Sequence, residues 1–172
     1  EVSDFETLAE YREDIKKNLT EKKEAAAKRE KETAAVAKAV ENAQMEIPDA
    51  MVDEQVRRMA DDFTRRMESQ GITMQQYMQF TGMDADKLLE QMQPEALKRI
   101  QNSLVLEAVA KAENIEISDE RLDEEIAKMA ESYKMEADKL KELMGDYEKE
   151  QMKNDLAIQA AVDLVRDSAK EV

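Results

Sequence analysis

Residues 47–63 read IPDAMVDEQVRRMADDF, and residues 117–133 read ISDERLDEEIAKMAESY. At an offset of 70 their apolar residues coincide: Ile47 falls on Ile117, Val52 on Leu122, Val56 on Ile126, Met59 on Met129 and Phe63 on Tyr133. The match reaches back to residue 36 against residue 106. After Phe63 it resumes at an offset of 52, where MDADKLLEQM (83–92) falls on MEADKLKELM (135–144). Further on, Asn102, Leu104 and Ala108 meet Asn154, Leu156 and Ala160. The two offsets differ by 18 residues, which are extra sequence in the first copy within 64–82, TRRMESQGITMQQYMQFTG. Apolar spacing of three and four marks helices, and its repetition predicts two similar helical units instead of a single enzyme core.

Working outward, Leu8, Tyr11, Ile15 and Leu19 keep the same spacing, with Asp4 placed to cap their helix. No Gly or Pro follows before Pro48, so this helix is expected to reach Asn42 or Gln44. At 1.5 Å per residue it would be roughly 57 Å long, against about 40 Å for the diameter of a compact chain of this size. An elongated molecule is the consequence. The middle of this helix, TEKKEAAAKREKETAA (20–35), lacks large apolar side chains and reads as a solvated spacer, with Glu13/Lys17 and Glu24/Lys28 as supporting pairs.

Glu46 and Ile47 form an extended break, and Pro48 suits the first turn of the next helix. That helix carries Val52, Val56, Met59, Phe63 and Met67 and ends at Gly71. Thr73 and Gln76 have capping-box spacing and open a short helix with Met74, Tyr77, Met78 and Phe80, closed by Gly82. Asp84 opens a short helix through Leu88, Leu89 and Met92, and Pro94 begins another with Leu97, Ile100, Leu104 and Ala108 inward. In the second copy Ile115 to Ile117 is extended, Ser118 caps, and Leu122, Ile126, Met129 and Tyr133 form the stripe. A short helix holds Leu140 and Leu143, Gly145 breaks it, and a last helix carries Met152, Leu156, Ile158, Val162 and Val165. The expected division is a connecting helix over 1–44, a first arm over 45–113 with its insert, and a second arm over 114–172. The helix that closes the first unit opens the second.

The 172 residues hold 41 Asp and Glu against 26 Lys and Arg, a net charge of −15, which repels a phosphate backbone and argues against nucleic acid as a partner. No apolar run is long enough for a membrane span. No signal-peptide pattern opens the chain, although Glu1 is not a natural start and a fragment is expected. With neither His nor Cys, the commonest general base, the thiolate nucleophile and the usual zinc ligands are missing. Acidic doublets at Asp53/Glu54, Asp61/Asp62 and Glu124/Glu125 lie on outward faces without calcium-loop spacing. No catalytic site, cofactor or metal is expected. The residue in excess is Met, 12 in all, a flexible side chain suited to promiscuous apolar contact.

KAVENAQMEIPDAMVDEQVRRMADDF (38–63), QYMQFTGMDADKLLEQMQPEALKRIQNSLVLEAVAKAENIEIS (76–118) and DLAIQAAVDLV (155–165) resemble the C-terminal domain of bacterial trigger factor. DFETLAEYREDIKKNLTEKKE (4–24) resembles the segment that re-enters that domain after its prolyl-isomerase head. The resemblance spans essentially the whole chain. It implies an all-α, elongated multi-helix body with a long first helix and two duplicated helical arms, a cradle that holds unfolded or nascent polypeptides without ATP in the cytoplasm and aids folding and export. Ribosome contact and prolyl isomerisation would belong to domains this chain lacks.

The family's client surfaces are spread over the cradle, so no residue carries over from it. The insert is the candidate on other grounds, because the second copy folds without it. Met67, Met74, Tyr77, Met78, Phe80 and Met83, together with Met59 and Met45, are the expected client contacts. The competing reading is that Met74, Tyr77, Met78 and Phe80 complete the first unit's core. At the level of function, the alternatives are a helical spacer or homodimerisation module, and the scaffold of a periplasmic parvulin-type chaperone.

Overall fold

The computed structural model describes residues 7–170, and Asp4 lies outside them. Among the described residues there are seven helices and no strand: α1 Leu8–Asn42, α2 Asp49–Ser69, α3 Met74–Thr81, α4 Ala85–Ala112, α5 Asp119–Ser132, α6 Ala137–Leu143 and α7 Asp146–Ser168. The molecule is elongated. Its accessible surface is 13584 Å², whereas a compact protein of 19.7 kDa exposes about 8,600 Å².

Helix ends follow local chemistry. Thr7 and Glu10 form a reciprocal capping box at α1, and Thr73 and Gln76 do the same at α3. Asp84 accepts from the Lys87 N–H at 2.9 Å to start α4, and Ser118 accepts from the Arg121 N–H at 3.3 Å to start α5. Pro48 sits one residue outside α2, as its cap. Four helices close on a left-handed residue: α3 on Gly82 (φ 66°), and three others where the next N–H reaches back across the turn. Gly71 (φ 78°) follows α2, where the Ile72 N–H bonds the Met67 C=O. Asn114 (φ 51°) follows α4, with Ile115 on Ala110, and Lys134 (φ 54°) follows α5, with Met135 on Ala130. Along α1, Lys17 turns to Glu21 (4.0 Å) and Lys28 to Glu32 (3.7 Å), not back to Glu13 and Glu24.

One joint differs from expectation. Residues 85–112 form a single helix that runs through Pro94. Pro94 cannot donate to the Glu90 carbonyl, a defect usually costing about 3 kcal/mol. Packing overrides it: Leu88 before the proline and Ala96 and Ile100 after it are all buried on one face, and α2 is the helix packed most extensively on α4. The proline itself is exposed. At the matching position of the second copy, Met144 and Gly145 are extended, and the chain breaks into α6 and α7.

The C-terminal parts of α1, α4 and α7 build the body around buried Val36, Leu106 and Ala161, flanked by Val40, Val109, Ile158 and Val162. An ion network fastens its edge: Arg166 donates to Glu32 at 2.8 Å and also pairs Asp163, while Lys28 lies 3.7 Å from Asp163. Thus the end of the 20–35 stretch is tied to α7, while the rest of that stretch faces water.

The first unit is α2 on α4, with α3 on α2. In the second, α5 packs mainly on α6 and more lightly on α7. Of the expected core, Val56, Leu122 and Ile126 are buried, and Val52, Leu104 and Leu156 are half-buried. α2 has 21 residues against 14 in α5, two turns more, and those turns together with α3 are what the insert contributes.

Candidate functional site

The Thr73–Gln76 box and the left-handed Gly82 (φ 66°) hold Met74, Tyr77, Met78 and Phe80 on one short helix. Tyr77 stacks edge-on against Phe63 of α2, ring centres 5.2 Å apart at 75°. Met67 is buried at 7 % exposure, which supports a packing role for it. Met74, Tyr77, Met78 and Met83 are half-buried, and Phe80 stands 86 % exposed. Met59 is half-buried on α2, about 12 Å along the helix from Met67. Met45 is half-buried in the extended link before α2. Within the insert, Met67 is buried, Tyr77 leans on Phe63, and Phe80 projects.

The second unit has no helix corresponding to α3. Tyr133, aligned with the covered Phe63, is exposed, and so are Met129, Leu143 and Tyr147. Between α5 and α7 lies an open groove of about 660 Å³ with Met129, Met152, Leu156 and Tyr147 as its apolar residues. Arg121, Glu125 and Lys128 stand on its α5 wall, and Glu148 and Asp155 on its α7 wall. Reading the stripes alone missed this groove, since Met129, Met152 and Leu156 fit a core pattern equally well. The signal for it was the missing insert: a stripe with no covering helix remains open.

Gln151 and Asp155 also line a second, more polar cavity of about 860 Å³, which continues the groove towards the first unit past Asn154, Ile158 and Asn114 to Arg58. On the far flank of α5, Lys153 donates to Asp119 at 2.7 Å and Lys141 to Asp123 at 2.6 Å. Lys153 holds the Asp119 carboxyl below the usual carboxylate range, and Asp119 raises Lys153 in return. Asp84 is likewise lowered, first by the Lys87 backbone N–H it accepts from.

Two of the three acidic doublets engage neighbouring bases on their own helices, Glu54 with Arg58 (3.2 Å) and Glu124 with Arg121 (3.0 Å). Among the described residues no cluster of acids is arranged to hold a metal ion, and no helix is long and apolar enough to cross a membrane. What the surface offers is apolar contact framed by charge.

The family model for the C-terminus of the bacterial trigger factor protein matches residues 7–167. The chain belongs to the bacterial trigger factor family. It is 59 % identical over 172 residues to trigger factor of Lachnoclostridium phytofermentans, covering 100 % of this chain and 40 % of that protein. It is 54 % identical to trigger factor of Agathobacter rectalis (99 % and 39 %) and 44 % identical to that of Bacillus subtilis (94 % and 38 %). The chain thus spans about 40 % of the length of these relatives. A solved structure from work on trigger factor domains of Thermotoga maritima matches with a TM-score of 0.63 at 22 % identity, covering 97 % of this chain and 98 % of that one. A second, from work on promiscuous substrate recognition by the trigger factor chaperone, matches at 0.60 and 22 %, covering 98 % of this chain and 40 % of that one. The all-α, two-armed fold is theirs.

Proposed function

We propose that this chain is an ATP-independent holding module for unfolded or nascent polypeptides, gripping them through the α5–α7 groove and through the α3 tip. The observation that carries the reading is the open groove, with Met129 and Tyr147 exposed at its rim on a scaffold of net charge −15. Phe80, with Met74, Met78 and Met83 beside it in sequence, supplies the second contact. Each client side chain buried there contributes about 1.5–3 kcal/mol before ordering costs. Two modest sites on one scaffold then reinforce each other through effective concentration. The acid surface keeps the empty module dispersed.

The relatives' name supports this reading. In a full-length protein of this kind the cytoplasm would be its place, folding and export its service, and ribosome attachment and prolyl isomerisation the work of other domains. Self-association is the second reading, favoured by the exposed Leu8, Ile15 and Leu19 on α1. Sedimentation over a concentration range separates the two, because a tight dimer that ignores unfolded clients would support the second.

The direct test compares two serine sets in suppression of client aggregation: Met129, Tyr133 and Tyr147, and separately Met74, Tyr77, Met78 and Phe80. Both are expected to weaken suppression, the first set more. Retained helicity with undiminished suppression in both sets would sink the proposal.

A further inference from the structure

α5 lies between two unlike clefts. On one flank is the open apolar groove towards α7. On the other is a charged cleft of about 380 Å³ lined by Asp119 and Asp123 of α5, Lys141 of α6, and Asp146, Lys149, Glu150 and Lys153 of α7. Of the two flanks of α5, among the described residues, ion pairs to another helix occur on this one. Asp119–Lys153 joins α5 to α7, and Asp123–Lys141 ties α6 to α5. Across the open groove, among the described residues, no ion pair joins the walls: Arg121 and Lys128 engage Glu124 and Glu125 of their own helix. Counted over the lining residues, the α5 wall (Arg121, Glu125 and Lys128) carries one net positive charge and the α7 wall (Glu148 and Asp155) two negative ones. Under α5 runs a buried apolar seam of Leu122, Ile126 and Ala130. The helix is bounded by links at both ends, each entered through a left-handed residue, Asn114 and Lys134.

We propose that the α5–α6 hairpin rocks on this seam, and that the Asp119–Lys153 pair is the latch that keeps the groove open to clients. The two flanks of α5 compete. Rolling about the seam leaves Leu122, Ile126 and Ala130 covered, and such small sliding of packed helices is an ordinary protein motion. The latch side opposes closure, while the charge pattern of the groove walls favours it. An exposed pair shifts such an equilibrium by only about 1.5- to 5-fold, which sets the size of the change expected when it is broken. The role of the groove in clients rests on the reading above; the motion does not.

The chain has no Trp, so Tyr147→Trp places a single reporter at the groove mouth. Acrylamide quenching is measured in this background, in Lys153→Glu, and in the swap Asp119→Lys with Lys153→Glu, with helicity checked by circular dichroism. Breaking the latch and adding repulsion is expected to lower the quenching constant about two-fold, and the swap to restore it. Equal quenching in all three helical proteins, or a rise in Lys153→Glu, would overturn the latch. Binding of fluorescein-labelled, reduced and carboxymethylated α-lactalbumin is followed in parallel. If binding falls and recovers with quenching, latch and groove both stand. If quenching changes but binding does not, the latch stands and the groove loses its client role. If binding alone changes, the latch falls and the client reading survives.

Discussion

Replacing Pro94 by Ala tests whether tertiary packing, and not local preference, keeps α4 whole. Pro94 lies inside a 28-residue helix with its side chain exposed, so the exchange removes no buried contact. It restores a backbone N–H to the Glu90 carbonyl and relieves the ring's crowding of the preceding turn. In a helix interior Ala is favoured over Pro by about 3 kcal/mol. Some of that has been relaxed by the surrounding helix, so a gain of about 1–3 kcal/mol is expected. For a chain of this length 2 kcal/mol corresponds to roughly 4–8 °C in melting temperature. Urea unfolding followed by circular dichroism gives the free energy, and an unchanged slope with denaturant shows that the same surface is exposed on unfolding. Amide exchange should slow around residues 90–94. A gain under about 0.3 kcal/mol, or a loss, would refute the reasoning. It would mean that α4 is bent at the proline and that α2 packs on the bend.

Two further outcomes follow from local geometry. Lys134 holds a left-handed conformation (φ 54°) that costs a side-chain-bearing residue about 1–2 kcal/mol, so Lys134→Gly should raise stability by about 1 kcal/mol in the same urea assay. The Asp119–Lys153 pair should make stability depend on pH at both ends. The lowered Asp119 carboxyl contributes above the unfolded value near pH 4 and its share is lost as pH falls through the lower folded value. The raised Lys153 contributes below about pH 10.4 and its share is lost as pH climbs through the higher folded value. The difference in urea midpoint between the parent and Asp119→Asn should be flat from about pH 5 to 10 and shrink on either side, and a difference that persists at pH 2 would contradict this.

Much of the fold is legible because its determinants are short-range. The Thr73–Gln76 box, the Asp84 and Ser118 caps and the Gly71 and Gly82 stops each act within a few residues, so spacing in the chain predicts them. The duplication and the repeated stripes mark two similar helical units, without saying which helices touch. The candidate site was less legible. A helical stripe marks which face is apolar and says nothing about what covers it. Tyr77 covers Phe63, while the aligned Tyr133 is left bare, and only the relative positions of α2, α3, α5 and α7 separate the two.

By itself, the sequence determined an acidic, His-free and Cys-free helical duplication with a long first helix and an insert in one copy. Tertiary structure decided the rest. It carried α4 through Pro94, because α2 packs extensively on that helix and keeping the residues on either side of the proline buried costs less than breaking it would. It paired Glu32 with Arg166, 134 residues away, which no local pattern announces. It also set Tyr77 of the insert against Phe63 and left an open groove in the second unit, because burial depends on which neighbour arrives in space.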